Sequence, residues 1–284
     1  MRPEDPGYPE LLIAVPDAPG ELHVRGELPA RASALAIVGS RKPTPYGLRM
    51  ARLLAAGCAR AKIPVVSGLA RGIDTQAHRA ALEAGGVTWA VLGSGLDVIY
   101  PSENRGLSEE ILRKGGAVLS ELPDGTGPDA HNFPKRNRII SGLSLGVIVV
   151  EGDVRSGSLI TARCALAQGR EVFAVPGPAD SPMSEGPLEL IRQGAPMARS
   201  IEDVLAELPM LSQGTHPELP GLGPEDSLSA DERKIIQFLA SGELELEELA
   251  AKTCWELPRL LRVLTELEAQ ELILAVPGQR YARR

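Results

Sequence analysis

What most constrains this chain is a pattern repeated six times from Leu35 onward: a short β-branched or apolar run ends in Gly or Ser and leads into a helical stretch. The runs are LAIVGSR, IPVVSGLARG, TWAVLGSG, GAVLSELP, GVIVVEG and EVFAVPG. Runs this short, apolar without alternation, are buried on both faces, and with helical crossovers they form a doubly wound, mainly parallel sheet. The stretches YGLRMARLLAAGCARAK, IDTQAHRAALEAG and GSLITARCALAQG supply helices between them. The expected fold class is α/β.

Such a sheet binds ligands at the carboxyl ends of its strands, where loops enter helix amino termini. Four small, polar loops are expected on that rim: Gly39–Arg41, Ser67–Gly72, Gly93–Gly95 and Arg155–Ser158. Helix amino termini with glycine-exposed amides accept phosphate. The densest polar stretch, FPKRNRIISGLS from Phe133 to Ser144, sets Lys135, Arg136 and Arg138 around Asn137. Two readings compete for it: a surface for a flat anionic ligand, or a solvated helix face paired with nearby acids.

Charge bears on the choice. The net charge of -7 argues against a nucleic-acid partner, but its distribution reverses the argument. Residues 225–271 hold twelve acids and five bases, whereas residues 1–208 hold 24 acids and 22 bases. A basic patch on the large amino-terminal part therefore works against no global field. Aromatic residues make up 3% of the chain, so any base stacking rests on few side chains, Phe133 or a guanidinium plane among them.

Several chemistries lack their residues. Gly93-Ser94-Gly95 is followed by Leu96, Asp97 and Val98, which breaks the GxGxxG of a dinucleotide site, and no Walker A sequence occurs. The GLSLG at Gly142–Gly146 follows a helix and precedes a strand, the reverse of a nucleophile elbow. Cys58, Cys164 and Cys254 stand far apart with no CxxC, so neither zinc nor a disulfide framework is expected, and a reducing cytoplasm fits. No cofactor or metal is expected. Runs such as VIVV are too short to span a bilayer, and MRPEDPGYPE does not read as a secretory signal. Asp74 and His78, four apart on a helix, read as structural: the acid at the helix start, the histidine on a backbone group. Glu151 is the best single candidate for a catalytic carboxylate, or equally a partner for a rim arginine.

After Leu208 the composition shifts. Residues 209–228 read as a Pro/Gly-rich linker, and Ser229 with Glu232 forms a capping-box pattern ahead of Ile235, Ile236 and Leu239. Three helices and a hairpin around Pro277 and Gly278 give residues 229–284 the order of a winged helix. Arg259 and Arg262 would lie on its reading helix, but Glu256, Glu266 and Glu268 share it. A protein-docking module is favoured over a duplex reader; Arg280, Arg283 and Arg284 keep a weak duplex contact open.

Together these segments resemble one family, the DNA-processing protein A (DprA, or Smf) family. The match is carried by IVGSRKPTPYG, SGLARGIDTQAHRAAL, AVLGSGLDVIYPSENRGL, SELPDGT, FPKRNRIISGLS, VVEGDVRSGSLITARCALAQGREVFAVPG and LIRQGA, in order from Tyr8 to Ala195. The resemblance implies an extended Rossmann-like domain over 1–208, with a lead-in at 1–34, and a small winged-helix domain at the carboxyl end. It implies a cytoplasmic homodimer that binds and protects single-stranded DNA and helps load the RecA recombinase in natural transformation, with no established catalysis. Arg41, Phe133, Lys135, Arg136, Asn137 and Arg138 carry over as DNA contacts, with Ser40, Arg71, Ser156 and Gly157 beside them. Two departures stand out. The small helical domain that often precedes YPELL is expected to be absent or truncated, and Leu188 replaces an asparagine of the family's G-x-N-x-L-I pattern. The alternative is a nucleotide-cleaving enzyme of the lysine-decarboxylase-like group, whose PGGxGT-type loop is here RSGSLIT.

Overall fold

A computed structural model of the protein describes residues 1–31, 33–212, 230–239 and 244–253, together with 255, 259–260, 263–264, 267–268, 273–276 and 280–283. The chain divides into two compact units, Met1–His216 and Pro217–Arg284.

In the first unit a short strand, β1 (His23–Gly26), precedes the six expected ones: β2 (Leu35–Val38), β3 (Val65–Ser67), β4 (Thr88–Val91), β5 (Ala117–Ser120), β6 (Gly146–Val149) and β7 (Glu171–Ala174). Among the described residues these seven form one sheet in the order β1-β5-β4-β3-β2-β6-β7. All neighbours are parallel except β1, which runs antiparallel on β5 with Val24 opposite Leu119. Strands β2 to β6 are buried at every residue, as their unbroken apolar runs require, whereas the edge strand β1 (HVRG) is not.

Helices cover both faces: α1 (Glu10–Ile13), α2 (Pro45–Arg60), α3 (Ile73–Glu83), α4 (Arg105–Arg113), α5 (Asn132–Gly142), α6 (Gly157–Ala167), α7 (Glu185–Arg192), α8 (Ile201–Glu207) and α9 (Pro209–Ser212). One core packs α5 and α6 against the sheet through Ile139, Ile140, Leu159 and Ala162, a second packs α2 and α3 through Leu54, Ala55, Ala77 and Ala81, and a third takes in Leu107 and Ile111 of α4. The expected linker starts later than its composition indicates. Leu208 and Leu211 are both 4% exposed and join the second core, so burial holds residues 209–212 to the first unit.

From β2 the chain winds through β3, β4 and β5 to one side, then returns to place β6 and β7 on the other. The strand order reverses between β2 and its parallel neighbour β6, and adjacent loops diverge there to leave a crevice.

In the second unit α10 (Ala230–Leu239), a strand β8 (Leu244–Glu245) and α11 (Leu246–Thr253) precede β9 (Ile273–Val276) and β10 (Arg280–Arg283), in the sheet order β8-β10-β9. The described residues between 259 and 268 are helical, and Ile235, Leu249, Leu260 and Leu264 form the core. Cys254, Arg262, Glu256, Glu266, Arg284, the turn at Pro277 and Gly278, the capping residue Ser229 and most of the expected linker lie outside the described residues.

Candidate nucleic-acid interface

The loops after β2 and β6, with α5 between them, enclose an open cleft of about 700 Å³ at the strand-order reversal. Helical geometry decides what α5 presents to it. Phe133, Arg136, Asn137 and Ile140 recur at helical spacing and line the cleft. The basic triplet is therefore not one flat cationic surface, because successive residues of a helix point in different directions.

Each cation of the triplet meets a different fate. Lys135 is exposed and adjoins the lining residue Pro134. Arg136 is 6% exposed and lies at the cleft floor, its Nη1 donating to the carbonyls of Gly68 (2.8 Å) and Val91. Burial lowers its pKa to about 10, Asp74 opposing the shift and Arg41 adding to it, so it stays charged at neutral pH. Arg138 does not line the cleft. It turns toward Asp17 (3.1 Å) and Glu121 (2.5 Å), and these acids make it a brace for the amino-terminal segment rather than a free DNA contact.

The remaining expected contacts gather with Arg136. Ser40, Arg41, Phe133, Asn137, Ser156 and Gly157 line the same cleft. The Arg41 guanidinium carbon stands 5.2 Å from the centroid of the Phe133 ring. Asn137 Nδ2 donates to Gly157 O at 3.2 Å, tying α5 to the start of α6. Arg71 lines a small adjoining recess and is held by two 2.8 Å hydrogen bonds to Glu103.

Two contributors escaped the sequence reading. Tyr100 lines the cleft and faces Phe133 at 5.6 Å between centroids, tilted by 43°, so two rings and a guanidinium share the mouth. Its signal was the IYPSEN segment shortly beyond the third rim loop. Lys42, beside Arg41, also lines the cleft and is exposed. Among the described residues Arg41, Lys42 and Lys135 make no ion pair with a carboxylate, which separates them from Arg71 and Arg138.

Two of the rim glycines, Gly68 and Gly93, are required by packing. A Cβ on Gly68 would stand 2.5 Å from Arg136 Nη2, and one on Gly93 would stand 2.9 Å from Phe133 Cδ1. The Gly68 and Ala70 amides are already engaged by Asp74 Oδ2 at 3.1 and 3.4 Å, which braces a loop whose Leu69 lies at φ 56°. Burial raises the Asp74 carboxyl, against Arg136 and these amides. His78 bonds a hydroxyl rather than a backbone group: Thr88 Oγ1 gives its proton to Val65 O, so it accepts from His78 Nδ1 at 2.7 Å. Burial lowers His78 to about 3, Arg136 adding to the shift.

Glu151 pairs with no arginine among the described residues. It is 3% exposed and accepts from Thr44 N (2.8 Å) and Thr44 Oγ1 (2.5 Å), holding the residue that caps α2. No helix among the described residues is long and apolar enough to cross a membrane.

Fold and cleft define a Rossmann-like α/β protein with an open crevice where its strand order reverses, followed by a winged-helix domain. The chain belongs to the DNA-processing protein A family. The model of DNA recombination-mediator protein A matches residues 1–209, and that of the DprA winged helix domain matches residues 220–279. Protein Smf of Escherichia coli K12 is 48% identical over 280 residues, covering 95% of this chain and 74% of that protein. DNA processing protein DprA of Bacillus subtilis 168 is 47% identical over 204 residues, covering 71% and 68%. The X-ray structure of DNA processing protein A from Streptococcus pneumoniae superposes with a TM-score of 0.68 at 44% identity over 73% of each chain. A structure of DNA processing protein A from Helicobacter pylori, described for its single-stranded DNA binding mode, gives 0.65 at 30% identity over 74% of this chain and 99% of that one.

Proposed function

We propose that the chain binds single-stranded DNA in this cleft. The observation that carries the reading is the group at its mouth: two rings with Arg41 over one of them, beside Lys42, with no ion pair to a carboxylate among the described residues. Single strands are held by cations on their phosphates and aromatic faces under their bases. The relatives named for DNA processing, and the Helicobacter pylori structure, support the same ligand. Lys135 and Asn137 complete the phosphate track from α5.

The finer role rests on family membership. In it the chain works as a homodimer in natural transformation, protecting incoming strands and passing them to RecA, in keeping with the recombination-mediator description of the family. In the winged helix, Arg259 is paired to Asp231 at 2.7 Å and stacked 4.8 Å from the Trp255 ring, which supports docking to protein over reading of duplex. The nucleotide-cleaving alternative gains nothing from Glu151, whose carboxylate is engaged by Thr44.

A competition gel shift tests the ligand. Extended oligothymidylate should displace a labelled strand at lower concentration than blunt duplex of equal length. Equal potency would remove the cleft as the principal site. Light scattering of the full chain at micromolar concentration should give twice the monomer mass.

A further inference from the structure

The buried cation at the floor of the cleft has donors without acceptors among the described residues. Arg136 gives Nη1 to two carbonyls, while Nε is buried without a partner and Nη2 donates to nothing among the described residues. Asp74 acts on it electrostatically but makes no direct ion pair with it among the described residues, being engaged by the Gly68 and Ala70 amides, and Asp153 is engaged by the Arg155 amide at 2.7 Å. A buried guanidinium left this way costs free energy unless an anion completes it.

A second donor faces the same space. Helix α6 begins at the cleft with Gly157, which is exposed, and a Cβ there would meet nothing within 4 Å. Its amide has no acceptor among the described residues, although Ser156 Oγ takes the next one, Ser158 N, at 3.3 Å. An eleven-residue helix puts positive potential at that end. Ser40 and Asn137, 8% and 9% exposed, stand on the same lining.

From this we propose a phosphate-monoester subsite at the cleft floor, formed by Arg136 and the amino terminus of α6, that takes a terminal phosphate. It rests on the single-strand reading and adds an end to it. An internal phosphodiester carries a sugar on both sides and is sterically hindered at a guanidinium buried to 6% exposure, whereas a monoester projects freely and has a second negative charge. Two ligands share this chemistry, the phosphorylated end of a strand and a free mononucleotide.

Fluorescence anisotropy of the full chain separates them, using one oligothymidylate with a 5′-phosphate, a 3′-phosphate or hydroxyls at both ends, at constant ionic strength. One phosphorylated strand should bind about tenfold tighter than the hydroxyl form, the weight of one charge-assisted hydrogen bond. Displacement of the hydroxyl strand by thymidine 5′-monophosphate but not thymidine, with no end preference, would support the subsite and assign it to free mononucleotides. Equal binding of all three strands and no displacement would overturn the subsite and leave the single-strand reading standing. Failure of all three strands to bind would overturn both.

Discussion

At the residue scale the cleft separates cations by their partners. Phe133 and Tyr100 stand together at its mouth, so replacing either by alanine should weaken oligothymidylate binding by roughly 1 to 3 kcal/mol, the value of one stacked base. Anisotropy titration checks this, with thermal unfolding to confirm that the fold is kept. His78 carries a pH signature. Held neutral to about pH 3 when folded but free to protonate near its ordinary value when unfolded, it should lower stability as pH falls from about 6.5 toward 3. The unfolded chain takes up one more proton in that window, so denaturant melts of H78Q against the parent should differ in slope by about 1.4 kcal/mol per pH unit. Of the candidate site, Arg41, Phe133 and Asn137, which the family resemblance carried over as contacts, do line one cleft. The fate of Arg136 and Arg138 was not legible in the sequence, because it depends on Gly68, Val91, Asp17 and Glu121, which are remote in sequence.

At the scale of elements, the six strands β2 to β7 were readable because burial leaves uninterrupted apolar runs, while β1 was missed because HVRG at a sheet edge carries no such mark. Helix α5 shows the opposite difficulty. Its composition announces a basic surface, but the 3.6-residue period sends one cation to the cleft floor, one to solvent and one to an ion-paired brace. The rim glycines follow from this packing. G93A places a methyl 2.9 Å from the Phe133 ring and should weaken DNA binding more than stability. G68A drives a methyl into the buried guanidinium and should cost stability first, roughly 1 to 3 kcal/mol by overpacking. Parallel denaturation and binding curves for the two variants would show the crossover, and identical profiles would contradict it.

At the scale of the whole molecule, charge is divided between the two units. The sequence-wide excess of acid is concentrated toward the carboxyl end, and the larger unit is close to neutral, with Arg41 and Lys42 on the lining of its crevice. The strand-order reversal at β2 and β6 places the Arg41 loop and the start of α6 on opposite sides of one opening. Arg41 sits in that opening without an ion pair, whereas Arg138 is committed to two carboxylates outside it. The most direct measurement is therefore the salt dependence of single-strand binding for the parent chain, R41A and R138A. The slope of log affinity against log salt should fall by about 0.7 for R41A, one lost phosphate contact, and stay unchanged for R138A. An unchanged slope in R41A, or an equal loss in both, would contradict the cleft as the DNA site.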